Sequence, residues 1–284
     1  MRPAGSSLHR ILSDWLRRER PRPTTPVCDF ERLRQQLRPC DVLLLEGTTR
    51  MDDRLRRISP GRWSRALLYL GRLHDIASPA LRATVREYHP CRPDTPLVLE
   101  VRLDRGLVLQ PLAQLEAEHL RITRPRELDS REAQEVIRYA VNRMERTRRP
   151  SWLDSLRLLL PWGLLPVRWR ARFFARIAGN LLRGLTGSVA GEAYSFIQYP
   201  VLPLVKRHED GHLRLYRPQP RAWFAADFDH SPYFDVIKYP FLHSDESRHA
   251  RLLPWQGNPR IAHLGDEFRG GDTAPAAQQA HQDQ

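Results

Sequence analysis

Lysine is nearly missing from this chain. Lys206 and Lys238 are the only two, although lysine and arginine together number 46 among 284 residues. The positive charge is therefore almost all arginine, whose guanidinium stays protonated at every working pH. Against 33 acidic residues this leaves a formal net charge of +13. Arginines run along the whole chain rather than in one block. That reads first as the codon bias of a GC-rich genome, and second as a basic surface for an anionic partner. Cysteine is scarce as well. Cys28, Cys40 and Cys91 do not suggest a disulfide framework in a chain this long. His89 stands close to Cys91, but the spacings match no compact zinc pattern, so three incidental thiols and no metal are expected. No organic cofactor is implied. An apolar run of the roughly 20 residues that a membrane span needs is also lacking. MRPAGSSLHRILSDWLRRER carries charges inside what would be the apolar part of a secretory signal. The expected place is the cytoplasm or the inner membrane surface, without signal peptide or transmembrane helix. Helix-turn-helix, zinc and aromatic RNA-binding patterns are missing too, so no nucleic acid is expected.

What is present has clear periodicity. Leu8, Ile11, Leu12, Trp15 and Leu16 recur at helical spacing, and PRPTTP at 21–26 stops the pattern. Residues 1–26 are thus an amphipathic helix and a proline-rich linker. Asp29 to Leu37 predicts a second short helix. Asp41 to Glu46, Ala66 to Leu70 and Pro96 to Leu103 read as buried strands, with weaker ones at Val108–Leu112 and His119–Thr123. Met51 to Ile58 is a basic helical segment between the first two. Asp129 to Arg146 is the clearest helix: Asp129 caps it, Glu132 completes a capping box, and Ala133, Val136, Ile137, Ala140, Val141 and Met144 form its apolar stripe. Strands in close succession with few helices between them predict an α+β domain over 27–243, with an antiparallel, barrel-like sheet packed by helices. From 244 to 284 the chain is polar and expected to be disordered.

Residues 151–185 form a helical insertion of different character. Six arginines face one aspartate over 151–184, among Trp, Phe and Leu. Such a helix either packs an apolar side on the domain or lies on an anionic membrane surface.

Several motifs occur in a telling order: Pro39-Cys40-Asp41-Val-Leu-Leu-Leu-Glu-Gly47, Trp63-Ser64-Arg65-Ala66-Leu67-Leu68-Tyr69-Leu70-Gly71, and Leu97-Val98-Leu99-Glu100 followed by Gly106-Leu107-Val108. Further on stand Gly191-Glu-Ala-Tyr194, Tyr199-Pro-Val-Leu-Pro203, Ala226-Asp227-Phe228-Asp229-His230-Ser231-Pro232-Tyr233-Phe234 and Val236-Ile237-Lys238-Tyr239-Pro240. Over about 39 to 241 the chain resembles the permuted papain-like (NlpC-type) cysteine hydrolases of the YiiX/YebB type, in particular bacterial "lipo-like" members. Their corresponding motifs are P-G-D, W-S-H-A-x-L-Y-x-G, a strand ending in Glu, and G-E-A-Y-C-S-S.

The resemblance implies a permuted papain-like fold and thiol-dependent hydrolysis or transfer at an amide or ester carbonyl. A thiolate at a helix N-terminus would attack, with a strand histidine as its base and a polar residue orienting that histidine. Here Arg65 occupies the histidine position and cannot act as a base. Glu100 matches the orienting residue and would face Arg65 as a salt bridge. At the cysteine position either Ser195 replaces the thiol, or most of the following helix has been deleted. Deletion would uncover core surface and leave 186–205 poorly packed. The resemblance thus implies a pseudoenzyme that binds at most a peptide, amide or acyl chain in its groove. Other readings are an active hydrolase with a different nucleophile, an arginine-rich membrane-surface protein acting through 151–185, and a decayed gene copy.

Overall fold

The computed structural model describes residues 4–19, 29–59, 61–116, 118–146, 152–202, 205–207, 213–215 and 222–237. The linker, Cys28 and the tail read above as disordered lie outside the described residues.

The sequence's apolar runs become strands where each has a partner on either side. β1 (Val42–Leu45) is buried along its whole length between β2 (Arg65–Arg72) and β5 (Leu120–Pro125). β3 (Pro96–Arg102) pairs with β2 and with β4 (Gly106–Pro111), and β8 (Phe234–Ile237) adds to β5. The result is one six-stranded sheet of order β4-β3-β2-β1-β5-β8, antiparallel at every step. It is an open sheet. The expected barrel-like closure is absent because β4 and β8 stand at opposite edges and do not pair with each other. A separate hairpin joins β6 (Val205–Arg207) and β7 (Leu213–Leu215).

Helices cover both faces of the sheet unequally. On one side Leu33 of α2 (Phe30–Gln36) meets Leu43, Leu45, Leu67 and Tyr69 in a small cluster. The opposite side carries the main core: Val42, Leu44, Ala66, Leu68 and Leu70 beneath α5 (Ser130–Arg146), α8 (Asn180–Thr186) and α9 (Ser188–Phe196). The alternation of adjacent strand residues between these clusters is the period-2 geometry of a strand buried on both faces. α5 begins with the capping box expected for it. Asp129 Oδ1 accepts from the Glu132 N–H at 2.7 Å, and Glu132 Oε2 from the Asp129 N–H at 3.1 Å.

Three helices escaped the sequence reading: α4 (Pro79–Tyr88), α9 and α10 (Ala225–Asp229). The first is signalled by Ser78, whose side chain accepts from the Leu81 N–H, followed by proline at the first helical position. The remaining helices form a group beside the sheet. α1 (Ala4–Arg17) packs on α3 (Arg50–Ile58) and α6 (Trp152–Leu159), while α3 also packs on α7 (Val167–Ile177).

The segment 186–205 was expected to be poorly packed, and over its described part to Leu202 it is not. Ala190, Ala193, Tyr194, Tyr199 and Val201 are buried. Phe234 receives the Tyr194, Tyr199 and Phe228 rings edge-on at centroid distances of 5.1, 5.7 and 5.4 Å. Four aromatic residues of three motifs thus meet at one point in space, where their ring quadrupoles favour this geometry. Gly187 lets α9 come this close: at φ +132 it turns the chain between α8 and α9, and a Cβ there would sit 3.0 Å from that of Ala66. Gly191 is under tighter constraint, because a Cβ would lie 2.1 Å from Trp223 Cγ. Gly191→Ala gains helix propensity worth about 1 kcal/mol. The clash with the indole outweighs it, and the expected net result is destabilisation by about 1–3 kcal/mol. A lower midpoint in urea unfolding at unchanged slope checks this.

Candidate functional site

Two of the residues singled out by sequence, Arg65 and Glu100, meet at one end of the sheet. Thr49 caps α3: its hydroxyl accepts from the Asp52 N–H at 3.2 Å, and Asp52 Oδ2 accepts from the Thr49 N–H at 3.1 Å and from its hydroxyl at 2.6 Å. The Asp52 carboxyl is fully buried. It fits because Gly47 has no side chain; a Cβ there would lie 2.1 Å from Asp52 Oδ2. Asp52 Oδ1 accepts from Ser64 Oγ at 2.7 Å and from Arg65 Nε at 2.9 Å.

Arg65 opens β2. The Leu68–Leu99 pairing sets Glu100 opposite Leu67, two residues from Arg65 on the same face. Long side chains span such a diagonal. Arg65 Nη1 donates to Glu100 Oε1, and Gln110 Nε2 of β4 donates to Glu100 Oε2 at 2.6 Å. The salt bridge expected between Arg65 and Glu100 is present, with a second carboxylate that the sequence reading did not identify. Arg65 is 9% exposed and Glu100 6%.

Burial alone would push the Asp52 carboxyl up. The Arg65 guanidinium and the hydrogen bonds from Thr49 and Ser64 reverse that and hold it below the ordinary carboxylate range. Burial alone would lower the Arg65 pKa, but Asp52, Glu100 and Glu118 overcome it, so the guanidinium is held more firmly protonated than usual. Glu118 is raised instead, by burial and by its neighbours Asp52, Glu19 and Glu100, despite the opposing pull of Arg65. This cluster has more carboxyls than cations.

A second polar group lies nearby and was missed from sequence. Leu45 pairs with Leu120, so Glu46 falls beside His119. Glu46 Oε2 meets His119 Nδ1 at 2.6 Å and accepts from Arg62 Nε at 2.6 Å. The His119 ring lies against Trp63 at 5.2 Å, and the Arg121 guanidinium stacks on that indole at 4.7 Å. Burial pushes the Glu46 carboxyl up, but the hydrogen bonds from His119 and Arg62 bring it down to about 2. Only the register of β1 on β5 brings these residues together.

Ser195 does not join Arg65 and Glu100. A helix does precede it, but Ser195 is exposed in the last turn of α9 rather than at a helix start. Ala66, Leu68 and Leu70 face the side that α8 and α9 cover, whereas Arg65 shares the opposite face with Glu100. Nor does either described cysteine, Cys40 or Cys91, stand beside Arg65 or Glu100 as a nucleophile. Cys40 is fully buried, its Sγ 3.2 Å from the Ala133 carbonyl oxygen, and burial followed by the Asp41 charge raises its thiol pKa. Burial raises Cys91 too. Among the described residues no group of three or more His, Cys, Asp or Glu side chains could hold a metal ion. A groove of about 250 Å³ lies between α5 and α9, lined by Arg138, Tyr139, Asn142, Arg143 and Phe196. The Tyr139 and Phe196 rings stack at 5.0 Å within it. Ser195 immediately precedes Phe196 in the chain.

Compared with known proteins, the chain matches no protein-family model and no curated protein.

Two outcomes follow from these clusters. Arg65→Ala strands the Asp52 and Glu100 carboxylates without their cation and is expected to cost about 3–5 kcal/mol. Adding Glu100→Gln removes one of the stranded charges and should recover part of that loss, so the two changes are non-additive in a denaturation cycle. Glu46 gives a pH signature. Its depressed pKa contributes stability that is complete above its ordinary value of 4.5 and is lost as pH falls through about 2. The stability difference between the native protein and Glu46→Gln should therefore shrink over that window in acid titrations.

Proposed function

We propose that this chain is a permuted papain-like protein of the YiiX/YebB type that has lost hydrolysis and retains a binding role. The buried ion-pair network of Arg65 with Asp52 and Glu100 carries this reading. It occupies the positions that the resemblance gives to the catalytic histidine and its orienting partner. A guanidinium held this firmly protonated takes no proton from a thiol or hydroxyl. At Ser195 the helix presents its C-terminal end, whose partial negative charge opposes an alkoxide or oxyanion.

Support for the resemblance comes from the backbone at its first motif. Cys40 has φ +73, in the left-handed region, at the position where the related motif has glycine. Asp41 then anchors the start of β1. Its oxygens accept from Arg124 Nε at 2.9 Å, from Arg124 Nη2 at 2.8 Å and from the Arg38 N–H at 2.8 Å. The ligand class that the resemblance implies is a peptide, amide or acyl chain. The α5–α9 groove suits it, with stacked rings for an apolar body and Asn142 for an amide.

The test treats the native protein with a fluorophosphonate and with iodoacetamide, then with a panel of acyl esters and peptide amides. No single-site labelling by the fluorophosphonate and no turnover are expected. Stoichiometric labelling of one residue accompanied by turnover overturns the loss of catalysis. In thermal-shift measurements at least one panel member should stabilise the native protein and not Phe196→Ser. If no member does, the binding role falls.

A further inference from the structure

α6 and α7 each carry apolar residues on two sides. Leu158 and Phe174 are fully buried in the core. Trp169 and Phe173, four residues apart on α7, point outward and are 59% and 44% exposed. Leu156 and Leu160 repeat that spacing along α6 and its end, and both are exposed. Between the helices Leu164 is 83% exposed, and on α1, which packs against α6, Ile11 is 63% exposed. A helix that met only water on its outer side would be polar there. The turn between α6 and α7 is tied to both helices and to α3. The buried Trp162 ring touches Phe173 and Phe174 edge-on at 6.1 and 5.6 Å. Arg170 ties the turn down, donating to the Leu165 and Arg57 carbonyls at 2.7 and 3.1 Å.

We infer that this face docks on an anionic lipid bilayer, lying on it with its leucine and aromatic side chains among the acyl chains. The charge argues for this occupant. Six arginines stand against one aspartate over 151–184, and Arg10 and Arg176 are exposed beside Ile11 and Phe173 respectively. Tryptophan, phenylalanine and leucine on a face flanked by arginine match the headgroup and acyl boundary. A second copy fits less well: a two-fold interface sets the same patch against itself, arginine facing arginine. The helices are suited to lie on a bilayer rather than cross it, since among the described residues no helix is long and apolar enough to span one. This inference is independent of the site around Arg65.

The experiment is sedimentation of the full chain with vesicles of phosphatidylcholine alone and of phosphatidylcholine mixed with phosphatidylglycerol. Binding to the mixed vesicles, weakening as salt rises, is expected. Combining Leu164→Asp, Trp169→Asp and Phe173→Asp should lower the partition coefficient by about ten-fold or more. Arg176→Gln, a conservative change at an exposed position, should lower it by about five-fold. Circular dichroism melts of each variant separate lost docking from lost folding. The inference is overturned if the native chain stays in the supernatant, whether its own terminus or a second copy covers the face. It is equally overturned if partition ignores both Arg176→Gln and the triple change in folded variants.

Discussion

A guanidinium held out of water must be neutralised where it stands, and Arg65 sets that requirement at the end of the central sheet. Removing a cation and its partners from solvent costs several kcal/mol per ion, offset only by good geometry and full hydrogen bonding. The surroundings of Arg65 meet both conditions. Asp52 reaches it only because α3 starts at Thr49, so that the cap places the carboxylate inward, and because Gly47 leaves room. Glu100 reaches it because β3 lies next to β2 in one register, and Gln110 of β4 occupies its other oxygen. One helix and three strands are thereby pinned to a single charge.

The sheet separates this network from the densest part of the core. Behind it, α8 and α9 approach closely at Gly187 and Gly191, and the rings of Tyr194, Tyr199 and Phe228 close around Phe234. α9 therefore acts as a packing element whose last turn, with Ser195 and Phe196, reaches the groove beside α5. The helices at the other flank satisfy the core with one side and leave a second apolar side outward. Rigid packing inside and an arginine-edged apolar surface outside belong to the same insertion.

Much of the fold was legible in the amino-acid order. Runs of four or more apolar residues between turn signals marked β1, β2 and β3, because strands buried on both faces need no alternation with polar residues. The capping box and apolar stripe of α5 were equally plain. Short-range signals were weaker for α4, whose start is marked only by Ser78 and Pro79, and for α10, which is five residues long. Barrel closure was not encoded locally. It depends on which strands stand at the edges, and that follows from the order in which strands pair.

The sequence by itself determined the class of structure, an α+β domain. The pairing of Arg65 with Glu100 was expected from the resemblance, and the register of β3 on β2 brings it about. Only the tertiary structure decided that Asp52 shares the charge, that Glu46 meets His119, and that Ser195 lies on a helix behind the opposite face of the sheet. Those relations depend on strand register and on the end at which a helix begins. A shift of one residue in strand register reverses the face to which every side chain of that strand points.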